Sequence, residues 1–194
     1  MSLIPAFEVG LWNAWLMMLY FPLHPLMMIL IDKLVGVGGI TKKMGSVPYN
    51  KTEKRIFASA MILIVLAFIY SIFLPLKVGT IWLYIGLPIY FLGLIMCIVA
   101  MINIATTPYG EPFTKGLYRY SRHPMDFWAN LMHIGVGIAS ASWIFLLFSI
   151  AYAILWLVLV VPEERGCLKQ YGKTYREYMN RTPRWIGLPK SGAK

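Results

Sequence analysis

Five long apolar runs are the feature that most constrains this chain. They cover about residues 11–31, 56–75, 80–102, 127–141 and 143–161. A helix needs about 20 apolar residues to cross the hydrocarbon core of a bilayer. We therefore predict an all-α integral membrane protein with about five transmembrane helices. The run 127–141 is the shortest, and we expect it to form a tight helical hairpin with the run that follows it.

Composition and charge agree with a membrane protein. Hydrophobic residues make up 59% of the 194 residues and charged residues 13%, which excludes disorder, collagen and a disulfide scaffold. The net charge of +10 comes from basic residues that lie between apolar runs, where they face lipid headgroups rather than nucleic acid. Of the 18 Lys and Arg residues, 17 fall in the segments 32–55, 103–126 and 162–194, and Lys77 alone falls on the other side. This division predicts an N-outside, C-inside topology.

We expect two regions. Residues 1–79 hold the first two helices and a basic cytoplasmic loop, and residues 80–194 hold helices three to five, a loop at 103–126 and a C-terminal helix at about 163–180. In that last helix the spacing places Tyr171, Tyr175 and Tyr178 on one face. Lys and Arg residues occupy the other faces, which is typical of an amphipathic helix at the membrane interface.

Several sites are not predicted. The histidines His24, His123 and His133 are scattered and give no ligand set for a metal. His24 lies between two prolines, where a structural hydrogen bond is at least as good an explanation as a functional role. The glycine-rich segment 36–39 lacks the strand and helix of a dinucleotide fingerprint, so we interpret it as a turn.

Polar residues that could carry chemistry gather in two cytoplasmic stretches, 103–126 and 162–186. The first contains Arg122, His123 and Pro124 at the start of an apolar run. The second contains Glu163 and Glu164 close to the end of the apolar run 143–161. Paired carboxylates at the end of a membrane helix are costly unless they meet water or cations. A purely structural interpretation makes the first stretch an amphipathic connector with interfacial tyrosines and the second a basic amphipathic helix on the headgroups. It does not explain the glutamates.

These residues resemble a known family. Arg122-His123-Pro124-Met125, followed by Glu163-Glu164, Tyr171-Gly172 and Pro183-Arg184-Trp185-Ile186, is similar to the integral-membrane methyltransferases related to isoprenylcysteine carboxyl methyltransferase and to phospholipid methyltransferases. The size suggests a prokaryotic, archaeal homologue, and the resemblance covers about residues 80–187.

The resemblance implies a multi-pass enzyme of the cell membrane, or of the endoplasmic reticulum if eukaryotic, with its active site on the cytoplasmic side. It would transfer a methyl group from S-adenosylmethionine, leaving S-adenosylhomocysteine, to a lipophilic small molecule or prenylated protein. The residues expected to bind the cofactor are Phe113, Tyr118, Tyr120, His123, Pro124, Met125 and Glu163. The expected catalytic residues are Glu163, Glu164, Arg122 and Arg181, where Arg181 or Arg122 supplies the cation for a substrate carboxylate.

The chemistry of the cofactor supports this assignment. Its ammonium group needs a carboxylate, its carboxylate needs donors, and its adenine or sulfonium needs aromatic faces. The preferred acceptor is the C-terminal carboxylate of an isoprenylated cysteine. A lipid amine such as phosphatidylethanolamine stays open, as do a sterol-type membrane reductase and a non-enzymatic transporter or scaffold. The sequence leaves the oligomeric state open.

Overall fold

The computed structural model describes residues 8–37, 40, 43 and 46–190. Within these ranges the fold is all-α, as predicted, with one isolated β-bridge between Asn13 and Pro75. The helices are α1 (Trp15–Met18), α2 (Tyr20–Val35), α3 (Lys51–Ile72), α4 (Ile81–Ala105), α5 (Pro124–Ala139) and α6 (Trp143–Arg181), with a 3₁₀ turn at Gly116–Arg119. Gly38 and Gly39 of the predicted glycine-rich turn, Lys42 and Lys194 lie outside the described residues.

Four helical segments of the described residues are long and apolar enough to cross a membrane: Trp15–Val35, which contains α1 and α2, and the helices α3, α4 and α6. Large apolar side chains on these helices face outwards, as Ile62, Ile95 and Leu147 do, each more than half exposed. Outward apolar faces of this kind require lipid as solvent. The chain is therefore a multi-pass membrane protein, and its orientation across the membrane stays a prediction.

The remaining predicted span is α5, which has 16 residues and a length of about 24 Å. It packs closely against α4, because glycines allow the two backbones to approach. A Cβ atom on Gly93 would lie 2.8 Å from Trp128 O, and one on Gly135 would lie 2.7 Å from Tyr90 N. Neither position leaves room for a side chain.

A three-residue turn joins α5 to α6 and confirms the predicted helical hairpin. The Ser142 hydroxyl accepts a hydrogen bond from Phe145 N at 3.2 Å and caps α6. Ser142 N donates to Gly137 O at 2.9 Å, and Ala141 adopts a left-handed φ of 52° between the two helices.

α6 differs from the prediction of a separate C-terminal helix starting near residue 163. The helix continues through Pro162 and is broken at Gly172, where φ is +56° and ψ is −123°, a conformation that favours glycine. Beyond the break, Tyr175 and Tyr178 are buried against the protein, whereas Lys173 is exposed. The tyrosine face therefore packs inside the molecule, and contact of the opposite face with headgroups stays a prediction.

One residue of the basic loop before α3 also lies in a different environment from the one predicted. Lys43, expected to face headgroups, is 2% exposed, and its ammonium donates to Ala105 O at 2.7 Å at the end of α4. A cation at a helix C-terminus satisfies a free carbonyl and the helix dipole. In the first span, α2 continues through Pro25, and His24 Nδ1 lies 2.8 Å from Tyr20 Oη, a local hydrogen bond of the structural kind.

Candidate active site

The two polar stretches come together at one end of the helices. Arg122 N donates to Pro183 O at 3.0 Å, and Gly187 N donates to Tyr120 O at 2.9 Å. The Tyr178 hydroxyl donates to Tyr118 O at 2.6 Å. Three elements, the loop after α4, the end of α6 and the segment after α6, are thereby fixed to one another.

The loop after α4 is positioned by its own sequence. Asn103, in the last turn of α4, accepts a hydrogen bond from Leu117 N at 2.9 Å. Gly116 lies against the side-chain amide of Asn103, which leaves no room for a Cβ atom, and its φ is +59°. Both the lack of space and the backbone conformation therefore require glycine there. The loop then leads into α5, which begins at Pro124, a residue well suited to the first turn of a helix.

Glu164 is the centre of a buried ion-pair cluster. The carboxylate is 4% exposed. Arg184 donates to it through Nε at 3.1 Å and Nη2 at 2.7 Å. Arg122 Nη1 lies 3.0 Å and His123 Nε2 3.3 Å from Glu164 Oε1. A carboxylate removed from water needs such partners, and this one faces three cationic side chains.

His123 connects Glu164 to two further carboxylates. Its Nδ1 atom lies 3.4 Å from Asp126 Oδ2 and 3.5 Å from Glu163 Oε2. Burial of the ring lowers the pKa of His123, but hydrogen bonds to Asp126, Glu163 and Glu164 outweigh burial and raise this pKa well above its ordinary value. The ring is therefore a cation at neutral pH. With Arg122 and Arg184 it balances the three carboxylates.

A cavity of about 240 Å³ lies beside this cluster. Six of the residues predicted from the sequence line it: Phe113, Tyr118, Arg122, His123, Met125 and Glu163. The loop after α4 and the α6 helix thus form a common wall, as the family resemblance implied. The segment before α3 closes a third side through Ser46 and Val47.

Four predicted residues do not line the cavity. Pro124 is buried at the start of α5, and Glu164 lies behind the cavity in the ion-pair cluster. Tyr120 is 45% exposed. Arg181 is also exposed, at the end of α6. The structure therefore separates Arg181 from the other predicted catalytic residues, and its expected contact with a substrate stays without geometric support.

Sequence reasoning missed several side chains of this site, among them Asp126, Trp156, Tyr175 and Arg184. Asp126 and Trp156 line the cavity, and Arg184 holds Glu164. Asp126 directly follows the motif Arg122-His123-Pro124-Met125, and Arg184 belongs to the motif Pro183-Arg184-Trp185-Ile186. Their positions in the sequence could therefore have identified both as site residues. The sequence could not have identified Trp156, because within an apolar run nothing distinguishes a residue that faces a cavity from one that faces lipid.

Two cavity residues carry buried N–H groups that have no hydrogen-bond acceptor in the part of the chain that the structure describes. These groups are Arg122 Nε and Nη1 and Trp156 Nε1. Arg122 Nη1 is close to Glu164 but is not aligned for a hydrogen bond with it. Buried donors without acceptors cost free energy, about 1–3 kcal/mol each, so a ligand with anionic or carbonyl oxygens fits here.

His123, Asp126 and Glu163 are also of the residue types that hold metal ions, and their ligand atoms lie within 4.8 Å of one another. The fold brings together groups that are scattered in the sequence. A metal ligand must be the neutral imidazole, so a metal ion would bind there only with release of the His123 proton. The absence of a metal site stays a prediction.

Comparison with known proteins supports an enzymatic role. Residues 93–174 match the family model described as phospholipid methyltransferase. This segment runs from the middle of α4 through the Arg122 loop and α5 to just beyond Gly172, and it covers less than half of the chain. The match indicates a membrane methyltransferase. A comparison with curated proteins gives no match.

Proposed function

We propose that this protein transfers a methyl group from S-adenosylmethionine to a lipophilic acceptor, and that the acceptor is the C-terminal carboxylate of an isoprenylated cysteine. The observation that carries the proposal is the cavity between the Arg122 loop and α6. It combines a carboxylate, buried unpartnered donors and aromatic faces. The match to a methyltransferase family over the same residues supports it.

The residues present fit the cofactor group by group. Glu163 lines the cavity and its side chain is 26% exposed, so that it can accept hydrogen bonds from an ammonium group. The Nε–H of Arg122, which has no acceptor among the described residues, suits the carboxylate of the methionine part. Tyr118, Tyr175 and Phe113 supply aromatic faces for the adenine or the sulfonium. Glu164 has a positioning role, because its oxygens are already engaged by Arg122, His123 and Arg184.

The bound cofactor supplies an electrophilic methyl group: the acceptor's lone pair forms the new bond while the carbon–sulfur pair returns to sulfur. The protein's share is to hold both reactants in line and to exclude water. A C-terminal carboxylate has a pKa of roughly 3.5 and is ionised at neutral pH, so no base is needed. The ester forms without release of a proton.

A second candidate acceptor is a lipid amine, which the description of the matching family favours. An ammonium group must lose a proton before it can accept a methyl group. Asp126 and Glu163 line the cavity and are the available carboxylates. Both lie beside the His123 ring, 3.4 and 3.5 Å from its Nδ1 atom.

Calorimetry of S-adenosylhomocysteine binding to the detergent-purified protein tests the cofactor part. Wild-type protein should bind, and Glu163→Gln should bind at least about tenfold more weakly, because a charge-assisted hydrogen bond is lost. Arg181→Ala, outside the cavity, is the matched control and should bind like wild type. No binding by folded wild-type protein would contradict the proposal, and binding of NADPH instead would favour a reductase.

The acceptor is tested with radiolabelled methyl donor and two acceptors, farnesylcysteine and an aminophospholipid. Base-labile label on farnesylcysteine marks a methyl ester and supports the carboxylate acceptor. Stable label on the aminophospholipid marks an N-methyl product and would select the second candidate. Binding of the donor with no label on either acceptor would contradict both acceptor assignments.

A further inference from the structure

Trp156 is a buried hydrogen-bond donor that the proposed cofactor contacts do not use. Its indole Nε1 is buried, has no acceptor among the described residues and belongs to a side chain that lines the cavity. Indole is a donor only, so its N–H needs a partner oxygen when it is removed from water. Trp156 thus offers the same cavity a neutral donor, beside the charged Nε–H of Arg122.

Other rings hold the indole in a fixed orientation. The Trp156 ring stacks on Tyr152 with centroids 5.4 Å apart and an interplanar angle of 25°. Tyr152 in turn meets the edge of the His133 ring at 5.3 Å and 83°. Tyr152 and His133 are both buried. A donor supported in this way loses little conformational entropy when it binds a ligand.

Trp156 is the cavity-lining residue nearest the start of α6. It precedes Glu163 by seven residues on α6, which is about 10 Å along the helix. Tyr175 and Tyr178 lie on the other side of Glu163, towards the chain end. Around Trp156 the outer face of α6 is apolar and exposed, with Ile154, Leu157 and Val158. The Trp156 end is therefore the one that a lipophilic molecule reaches from the bilayer.

We propose that Trp156 is a specificity-determining residue that donates its indole N–H to an oxygen of the acceptor's carboxylate. The inference rests on the proposed methyl transfer and adds to it the residue that selects the acceptor. A carboxylate has two oxygens, so one can accept from Trp156 while the other attacks the methyl group. An amine nitrogen has one lone pair, which attacks the methyl group. It therefore has no second lone pair that could accept a hydrogen bond from the Trp156 N–H.

The test compares acceptor kinetics and cofactor binding in full-length protein reconstituted in nanodiscs. Trp156→Phe keeps an aromatic ring and removes the N–H. It should lower kcat/KM for farnesylcysteine about tenfold or more, chiefly through KM, and leave the affinity for S-adenosylhomocysteine within about twofold. Incorporation of benzothienylalanine at position 156 keeps the ring size of tryptophan, lacks the N–H and should give the same result.

Trp143→Phe is the matched control, because Trp143 lies on the same helix and is 49% exposed; it should behave like wild type. An unchanged KM for farnesylcysteine in both Trp156 variants would overturn the role of Trp156 while leaving methyl transfer intact. An equal loss of cofactor affinity would overturn it too, since the residue would then serve the cofactor. Failure of the wild-type protein to methylate farnesylcysteine would instead refute the proposed function on which the inference depends.

Discussion

Glu163 and Glu164 are neighbours in sequence but serve different purposes. Consecutive residues of an α-helix point about 100° apart. Glu164 therefore turns towards the loop and meets Arg122, His123 and Arg184, while Glu163 turns into the cavity. One carboxylate fixes the loop to α6 and the other stays available to a ligand. A motif of two acidic residues is thus explained by two different needs.

Loss of Arg184 should weaken the protein more than loss of Arg181. Arg184→Ala removes two charge-assisted hydrogen bonds from the buried Glu164, and we expect the free energy of unfolding to fall by about 1–3 kcal/mol. The value should lie towards the lower end, because Arg184 is 39% exposed and Glu164 keeps Arg122 and His123. Arg181→Ala is the control, and thermal unfolding in detergent measures both. Equal stabilities of the two variants would contradict the central role of Glu164.

The cationic ring of His123 should make part of the stability dependent on pH. Its pKa is raised in the folded state, so the cluster's contribution is complete below the unfolded value of about 6.5. It is lost as pH rises through the folded pKa, which lies well above that value. We expect the difference in Tm between wild type and His123→Gln to be largest near pH 6 and to shrink at alkaline pH. A difference that grew with rising pH would show that the ring is neutral in the folded protein.

At the scale of elements, α6 organises the site, because each of its turns near the cavity contacts a different segment. Arg165 pairs with Glu53 through Nη2 at 2.7 Å and donates to Pro48 O at 2.8 Å. Glu53 also closes the capping box of α3 with Asn50. Gly166 lies against Pro48, where a Cβ atom would approach to 3.0 Å. These contacts hold Ser46 and Val47 against the cavity.

Breaking the Arg165–Glu53 pair should loosen that wall. Arg165→Gln leaves the capping box intact but removes the ion pair, and we expect S-adenosylhomocysteine to bind several-fold more weakly with little loss of helicity. Lys173→Gln is a matched control on the same helix, since its partner Glu177 lies 3.9 Å away and both side chains are well exposed. Calorimetry measures the affinity, and circular dichroism the helicity. Equal affinities in the two variants would show that the wall does not depend on this pair.

The elements themselves were predictable because apolar runs report membrane helices directly. The helix boundaries were less so. The first turn of α3 is formed by Lys51 to Arg55, polar residues that an apolar run leaves out. α6 continues past Pro162 because tertiary contacts of Glu164 and Arg165 support the helix there. The charged residues of the site were visible in the sequence, whereas the choice between Glu163 and Glu164 depends on helical phase and on what packs opposite.

At the scale of the whole molecule, the short helix α5 is the element on which the predicted number of membrane crossings depends. At one end its first turn lies beside the middle of α4, where the Cys97 thiol donates to Met125 O at 3.5 Å. At the other end Ala139 O accepts from Lys77 N at 3.3 Å, in the connection before α4. α5 therefore runs back alongside α4 to its starting end. We expect its 16 residues to complete a fifth crossing, although four segments of the described residues have the usual length.

The predicted five crossings would place the cavity and the connection at Lys77 on opposite sides of the membrane, and single cysteines test this. Val78 and Tyr109 are matched reporters, 71% and 69% exposed, in the connections before and after α4. In a variant with Cys97 and Cys167 replaced by serine, Val78→Cys should react with a membrane-impermeant maleimide in intact cells. Tyr109→Cys should react only after the membrane is opened, because 17 of the 18 basic residues lie on its side. The reverse pattern would place the cavity outside the cell, and labelling of both cysteines in intact cells would refute the crossing between them.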